Sequence, residues 1–246
     1  MAGLFRALGI GGSSAPTVVD SLMDDAIRET AKNWGDWTGW SIHPYALQSL
    51  PAYTGDAPLR VIECGSGYST SVLHLWTRKR SVESRVTSYE HEEEQMKRIR
   101  GLLDADAMQH VVRSELSQLT ESRFREMLKS PSTSTEYWKQ WADPLPEDLY
   151  GTTRVSRVFY KSLADDPPVL KADETLLVIL DGPHGNGRSI AFPLLWGCTP
   201  KESIWLIDDY NHYPFLDEMS RIFHLSDQQI GRKGDKRWTI VRAVPK

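Results

Sequence analysis

Short apolar segments alternate with stretches of helical periodicity from residue 59 to about residue 223. This alternation is typical of βαβ units, whose strands pair in parallel, and it leaves few folds open to the chain. We therefore predict an α/β fold with a doubly wound sheet. The predicted strands are 59–63, 85–90, 110–113, 175–181 and 203–208, and the predicted helices are about 70–79, 93–103, 116–128, 189–196 and 215–223.

The last part of the chain has a different pattern. HLSDQQIGRKGDKRWTIVRAV, residues 224–244, contains two β-rich segments around a turn of Gly, Lys and Asp, with no room for a crossover helix. Because strands joined by so short a connection run antiparallel, we predict a hairpin that closes one edge of the sheet.

Two segments lie outside this pattern. Residues 1–19 begin with a short apolar stretch that Arg6 interrupts, which predicts a flexible leader and not a signal peptide or membrane span. We predict a single domain over residues 20–246. Residues 130–155 hold three prolines and two tryptophans and form an aromatic-rich insertion. This insertion would be a lid over a site, a disordered segment, a contact in a homo-oligomer, or a solvated loop with buried aromatic side chains.

Composition favours small-molecule chemistry. The net charge of −4 argues against a broad basic surface, so we expect no nucleic-acid partner. Cys64 and Cys198 have neither the spacing of a disulfide framework nor that of a metal site, which predicts a reducing, cytoplasmic compartment. No membrane association is predicted, because no segment approaches the roughly 18 consecutive apolar residues that a spanning helix needs.

A glycine-rich turn follows the first predicted strand in RVIECGSGYST, residues 60–70. Gly65 and Gly67 allow the backbone to bend sharply and to approach a ligand closely. A P-loop is excluded, because no Lys followed by Ser or Thr ends the turn. The dinucleotide fingerprint is incomplete, since Thr70 stands at its third glycine and Glu63 would repel a pyrophosphate.

Glu90 ends the second predicted strand, where an acid accepts hydrogen bonds from two ribose hydroxyls. His91 follows it and is placed to approach the adenosine. A ribose without a pyrophosphate, and with a positive group near Glu63, describes S-adenosylmethionine. The alternatives are that Glu63 caps a neighbouring helix and that Glu90 is a surface acid.

Four segments in this order resemble the class I S-adenosylmethionine-dependent methyltransferases: VIECGSGYST, VTSYEHEEE, LLVILDGPHGNGR and SIWLIDDYNHY. The resemblance covers about residues 34–244, apart from the insertion. It implies a Rossmann-like, seven-stranded sheet with one reversed strand. The cofactor contacts that it implies are Gly65 and Gly67 under the methionine part, Glu63 near its amino group, Ser69 or Thr70 at the helix start, and Glu90 on the ribose.

Acids and a histidine follow the fourth and fifth predicted strands: Asp181, His184, Asp208 and Asp209. Because the carboxyl ends of parallel strands meet at one edge of a sheet, we expect these groups to converge near the cofactor. Clustered carboxylates repel one another unless a cation joins them, and Mg²⁺ suits such ligands. We predict the three aspartates as a Mg²⁺ site and His184 with Asp181 as the catalytic residues. The alternative is that the aspartates cap helices or bind loop amides.

This last pattern is similar to a branch of metal-dependent O-methyltransferases that act on sugars and other natural products. Pro183, the following GNGR and the absence of Pro-Gly-Gly before the fifth strand depart from that branch. We predict O-methylation of a small-molecule or carbohydrate-like acceptor, with His184 removing the hydroxyl proton. The alternatives are a non-catalytic protein that keeps the fold for binding, and a nicotinamide-dependent oxidoreductase, which the incomplete fingerprint disfavours.

Overall fold

The computed structural model describes residues 18–35, 37, 41–150, 157–199 and 201–246. The predicted leader falls almost entirely outside these residues, and so does the end of the predicted insertion, 151–155. The strands are β1 (Leu59–Cys64), β2 (Arg85–Glu90), β3 (Val111–Arg113), β4 (Leu116–Gln118), β5 (Asp143–Pro144), β6 (Val158–Tyr160), β7 (Thr175–Leu180), β8 (Ser203–Asp208), β9 (Phe223–Lys233) and β10 (Lys236–Pro245).

Seven of these strands form one sheet in the order β3-β2-β1-β7-β8-β10-β9. The first five run parallel, and β10 is antiparallel to both β8 and β9. The predicted doubly wound, mostly parallel α/β sheet with a C-terminal antiparallel hairpin is therefore confirmed. β1 lies between β2 and β7, so the winding direction reverses there.

The central strands are apolar on both faces, as strands covered by helices on both sides must be. Along β1, Val61 and Ile62 point to opposite faces, because successive side chains of a strand alternate. Val61 packs with Leu177 in one hydrophobic core, and Ile62 packs with Val178 in the other. Two separate cores thus meet at the sheet.

Helices cover both faces. α1, α2, α4 and α5 pack in the core that contains Val61, whereas α7 to α11 pack in the core that contains Ile62. No helix in the described part of the chain is long and apolar enough to cross a bilayer. The helices are α1 (Val18–Trp34), α2 (Pro44–Gln48), α3 (Pro51–Thr54), α4 (Tyr68–Lys79), α5 (Glu93–Arg100), α6 (Ala105–Met108), α7 (Glu121–Lys129), α8 (Ser134–Trp141), α9 (Lys161–Asp165), α10 (Ala191–Trp196) and α11 (Phe215–Met219).

The prediction of one helix over 116–128 is wrong at its start. Residues 116–118 form β4, which pairs antiparallel with β5 and β6 in a small second sheet, and the helix begins only at Glu121. The pairing partner, β6, is about forty residues away in the sequence, so local periodicity could not show it. Within the predicted insertion, Trp138 on α8 is buried and Trp141 is exposed, so one aromatic side chain belongs to the core.

Arg157, just before β6, connects the small sheet to the rest of the fold. Its guanidinium is 4% exposed and forms ion pairs with Glu121 at 2.7 Å and Glu218 at 2.5 Å. The backbone N–H of Arg157 donates to the side chain of Asn186, and the guanidinium stacks on Phe124 at 4.0 Å. One buried cation therefore joins α7, α11 and the segment that follows β7.

We predict that Arg157→Ala lowers the free energy of unfolding by about 3–5 kcal/mol, because the buried Glu218 carboxylate loses its cationic partner and keeps only the hydrogen bond from Ser189. Arg125 is the matched control, since it also pairs with Glu121 but its side chain is 64% exposed. Arg125→Ala should cost less than about 1 kcal/mol. Urea denaturation of both variants is the measurement, and equal losses would contradict the assigned role of Arg157.

Candidate functional site

The carboxyl ends of β1, β2, β7 and β8 meet at one edge of the main sheet and surround a cleft of about 830 Å³. This edge is where open α/β sheets bind ligands, beside the strand at which the winding reverses. Residues from several segments line the cleft, among them Gly65, Ser66, Glu90, His91, Tyr160, Asp181, His184, Asp209 and Lys236.

The turn after β1 and the turn after β7 touch through their backbones. Gly65 has a φ of +91°, and a Cβ on it would lie 2.6 Å from the amide nitrogen of Gly182. The carbonyl oxygen of Cys64 accepts hydrogen bonds from the amides of Asp181 at 2.9 Å and Gly182 at 2.6 Å. Any side chain at Gly65 would separate the two turns, and this contact places Asp181 beside the glycine turn.

Glu63 lies beneath the glycine turn and outside the cleft lining. The residue is fully buried, and its carboxylate accepts hydrogen bonds from Ser69 at 2.5 Å, Thr70 at 2.7 Å and Ser88 at 2.5 Å. Burial raises the pKa of Glu63 to about 7. The structure therefore does not bring Glu63, Ser69 or Thr70 to the cleft, and these three predicted cofactor residues instead support the turn from below.

Gly67 precedes α4 and forms a closed cap with Thr70. Its N–H donates to Thr70 Oγ1 at 2.8 Å, and its carbonyl oxygen accepts from the Thr70 amide at 3.1 Å. A Cβ on Gly67 would lie 3.1 Å from the amide group of Gln95. Two of the four amides that a helix start leaves free, those of Gly67 and Thr70, are therefore already used and are not available to a pyrophosphate.

Glu90 lies on the floor of the cleft. Its Oε2 accepts from the amide of Ser66 at 3.0 Å and from the Ser66 hydroxyl at 2.8 Å, and its Oε1 accepts from the amides of His91 and Glu92 at 2.7 and 2.8 Å. Burial alone would raise the pKa of this carboxyl. The neighbouring His91 side chain and these hydrogen bonds outweigh burial and lower the pKa below its usual value, so Glu90 is ionised.

His91 and Tyr160 form the wall beside Glu90. Nδ1 of His91 lies 3.1 Å from Glu90 Oε1, close enough for an ion pair but without hydrogen-bond alignment. The rings of His91 and Tyr160 are 5.9 Å apart. Sequence reasoning missed Tyr160, and no local signal marks it, because the small sheet alone carries it to the cleft.

The opposite end of the cleft combines acids and bases. Asp181 and Asp209 line it with Lys236 and the exposed His184. Burial, together with the charge of the adjacent Asp208, raises the pKa of Asp181 to about 8. The predicted convergence of Asp181, His184 and Asp209 at one rim is therefore present in the structure.

The predicted Mg²⁺ site requires correction. Asp208 is fully buried behind the rim, and Nζ of Lys236 lies 3.3 Å from its Oδ2. Within residues 18–35, 37, 41–150, 157–199 and 201–246, no three His, Cys, Asp or Glu side chains are arranged to hold a metal. Asp181, Asp208 and Asp209 do not fit a Mg²⁺ ligand set, since the lysine already neutralises the buried carboxylate.

Arg188 is a structural residue of this rim. It is 5% exposed, and its guanidinium donates to the carbonyl oxygens of Asp208 at 2.9 Å and Pro183 at 3.2 Å. These bonds join the turn after β7 to the end of β8. The loop that carries His184 is thereby fixed to the sheet edge.

Comparison with known structures finds distant similarities to methyltransferases. No known family model and no curated protein matches the chain. TrmN from Thermus thermophilus is 13% identical with a TM-score of 0.49, over 89% of this chain and 52% of that one. The chain thus spans about half of TrmN. An O-methyltransferase from Bacillus cereus is 13% identical with a TM-score of 0.46, and the match covers 94% of this chain and 92% of the O-methyltransferase.

A third solved structure, precorrin-6y C5,15-methyltransferase from Geobacter metallireducens, is 11% identical with a TM-score of 0.46. The match covers 87% of this chain and 95% of the precorrin methyltransferase. Identities of 11–13% and TM-scores below 0.5 make all three distant similarities.

We predict that Glu63→Gln removes a pH dependence of stability. The pKa of Glu63 is 4.5 in an unfolded chain and about 7 in the folded protein, so between these values only the folded state keeps the proton. Stability from this group is complete below about pH 4.5 and is lost as the pH rises to about 7, by on the order of 3 kcal/mol.

The measurement is urea denaturation from pH 4.5 to 8 for the wild type, Glu63→Gln and the exposed control Glu94→Gln. The wild type should lose stability relative to Glu63→Gln as the pH rises, while Glu94→Gln follows the wild type. Parallel curves for the wild type and Glu63→Gln would show that Glu63 is ionised in the folded protein.

Proposed function

We propose that this protein is an S-adenosylmethionine-dependent methyltransferase that methylates a hydroxyl group of a small-molecule or carbohydrate-like acceptor. The observation that carries the proposal is the ionised carboxylate of Glu90 on the floor of the cleft, next to Gly65 at the reversal point of the sheet. A cleft of about 830 Å³ is within the usual size of small-molecule sites.

The donors around Glu90 fit a ribose. Three of its four accepted hydrogen bonds come from backbone amides, which are fixed, and the fourth comes from the Ser66 hydroxyl, which can rotate away. A ligand hydroxyl that replaces Ser66 Oγ keeps the number of hydrogen bonds unchanged. Glu90 can therefore accept a ribose hydroxyl in exchange for that of Ser66.

The helix start disfavours a dinucleotide. The Gly67 amide is taken by Thr70, and the buried Glu63 lies beneath the same turn. A pyrophosphate would find the amides of Gly67 and Thr70 already used, and it would lie near an acid that is partly ionised at neutral pH. A cofactor whose ribose is followed by a positively charged group meets neither obstacle, which supports S-adenosylmethionine over a nicotinamide dinucleotide.

Chain residues divide the work between the two ends of the cleft. When bound, the cofactor supplies a methyl group on a positively charged sulfur. Glu90 and Ser66 hold its ribose end, and Gly65 lets its chain lie close to the backbone. At the other end, His184 accepts the proton of the acceptor hydroxyl, and Asp181 orients that hydroxyl toward the cofactor. No step requires a metal ion.

We predict that the wild type binds S-adenosylmethionine and that Glu90→Ala weakens this binding by about 10-fold or more, because a charged hydrogen-bond acceptor is lost. Isothermal titration calorimetry is the measurement, and the control is Glu94→Ala, since Glu94 is exposed on α5 and outside the cleft. A wild type that binds neither S-adenosylmethionine nor S-adenosylhomocysteine would refute the proposed function.

We predict that His184→Ala lowers turnover by about 100-fold or more and leaves cofactor affinity unchanged, because a general base acts only on the acceptor. Release of S-adenosylhomocysteine is followed with a panel of monosaccharides and hydroxylated aromatics. His224→Ala, an exposed position on β9, is the control. Tight cofactor binding without turnover of any acceptor would favour a non-catalytic binding protein, and full activity of His184→Ala would exclude this histidine as the base.

A further inference from the structure

Tyr160 carries a buried hydroxyl that no part of the fold satisfies. The residue is fully buried on β6, and among the described residues its hydroxyl has no hydrogen-bond partner. Leaving such a group unpaired destabilises the folded state, so a persistent example requires an explanation. Because Tyr160 also lines the cleft, a ligand is the missing partner that the geometry allows.

The surroundings keep this hydroxyl in one place. Tyr160 pairs with Leu116 in the small sheet, and its ring packs against the rings of Phe159 at 5.4 Å, His91 at 5.9 Å and Tyr89 at 6.2 Å. A ring enclosed in this way cannot swing to another partner. The hydroxyl is therefore a fixed feature of the cleft wall.

The two glycine turns leave space for the hydroxyl. A Cβ on Gly182 would lie 2.6 Å from the Tyr160 oxygen, and Gly182 in turn lies against Gly65. The hydroxyl therefore reaches the line where the turns after β1 and β7 meet. The Tyr160 ring packs against His91, which follows Glu90, and its hydroxyl lies at Gly182, which follows Asp181, so Tyr160 stands between the two ends of the cleft.

The position of Tyr160 between the two ends of the cleft indicates which part of the cofactor it would contact. Under the proposed function, the ribose lies at Glu90 and the acceptor at Asp181 and His184. The sulfur that carries the methyl group must lie between them, since the methyl group has to face the acceptor. Tyr160 stands beside that position.

We infer that the Tyr160 hydroxyl oxygen faces the positively charged sulfur of S-adenosylmethionine and makes the cleft prefer this cofactor over S-adenosylhomocysteine, its neutral product. This inference rests on the proposed function. Because the hydroxyl has no hydrogen-bond partner among the described residues, its oxygen lone pairs are free to face a cation. Burial and the charge of Glu90 raise the pKa of Tyr160 well above 10, so the group stays a neutral dipole.

Tyr160→Phe tests the inference, because it removes the hydroxyl and keeps the ring. Isothermal titration calorimetry with S-adenosylmethionine and S-adenosylhomocysteine should show the affinity for the charged cofactor falling by about 10-fold, and that for the product changing by less than about 2-fold. Thermal unfolding without ligand should show equal or higher stability, because an unpaired buried hydroxyl has been removed. Tyr137→Phe, on α8 outside the cleft, is the matched control.

The outcomes separate this inference from the function on which it rests. Equal losses for both ligands, or no loss for either, would overturn the role of Tyr160 while the proposed function stands. A lower stability of unliganded Tyr160→Phe would show that the hydroxyl has a structural partner and would also overturn it. Failure of the wild type to bind either ligand would overturn both.

Discussion

The backbone contact between Gly65 and Gly182 is the constraint on which the candidate site depends. Because neither residue has a side chain, the turns after β1 and β7 lie together, and one carbonyl oxygen, that of Cys64, accepts from two amides across the gap. The two ends of the cleft are thereby held side by side. The same absence of side chains leaves the space that the Tyr160 hydroxyl enters. The close approach of the two glycines therefore positions both the floor of the cleft and the wall that contains Tyr160.

Acidic residues lie at the ends of several strands of the sheet, and their environments differ. Glu63 is enclosed by three hydroxyls, and burial raises its pKa to about 7. Glu90 meets fixed amides at the cleft floor and stays ionised. Asp208 is buried against Lys236, while its neighbour Asp181 lines the cleft with a pKa of about 8. Burial acts to raise the pKa of each, and only at Glu90 do the His91 side chain and the hydrogen bonds to fixed amides outweigh it.

Sequence patterns predicted most of the main sheet because its strands are apolar on both faces and its turns are rich in glycine. The strands β1, β2 and β7 lie within a residue of their expected positions, and Glu90 reaches the cleft as expected. The small sheet was not predicted, because its pairing of residues 116–118 with 158–160 joins distant segments. Arg157 and Tyr160 were not predicted either, because their roles depend on that pairing.

The sequence by itself determined the α/β alternation, the glycine turn and the acid that follows β2, since hydrophobic periodicity and local turn chemistry act over a few residues. Only the tertiary structure decided which acids are accessible. In the folded chain Glu63 is buried below the turn, and Asp208 forms an ion pair with Lys236. Tyr160 lines the cleft. These outcomes depend on burial and on contacts between segments far apart in the chain, and no local pattern carries that information.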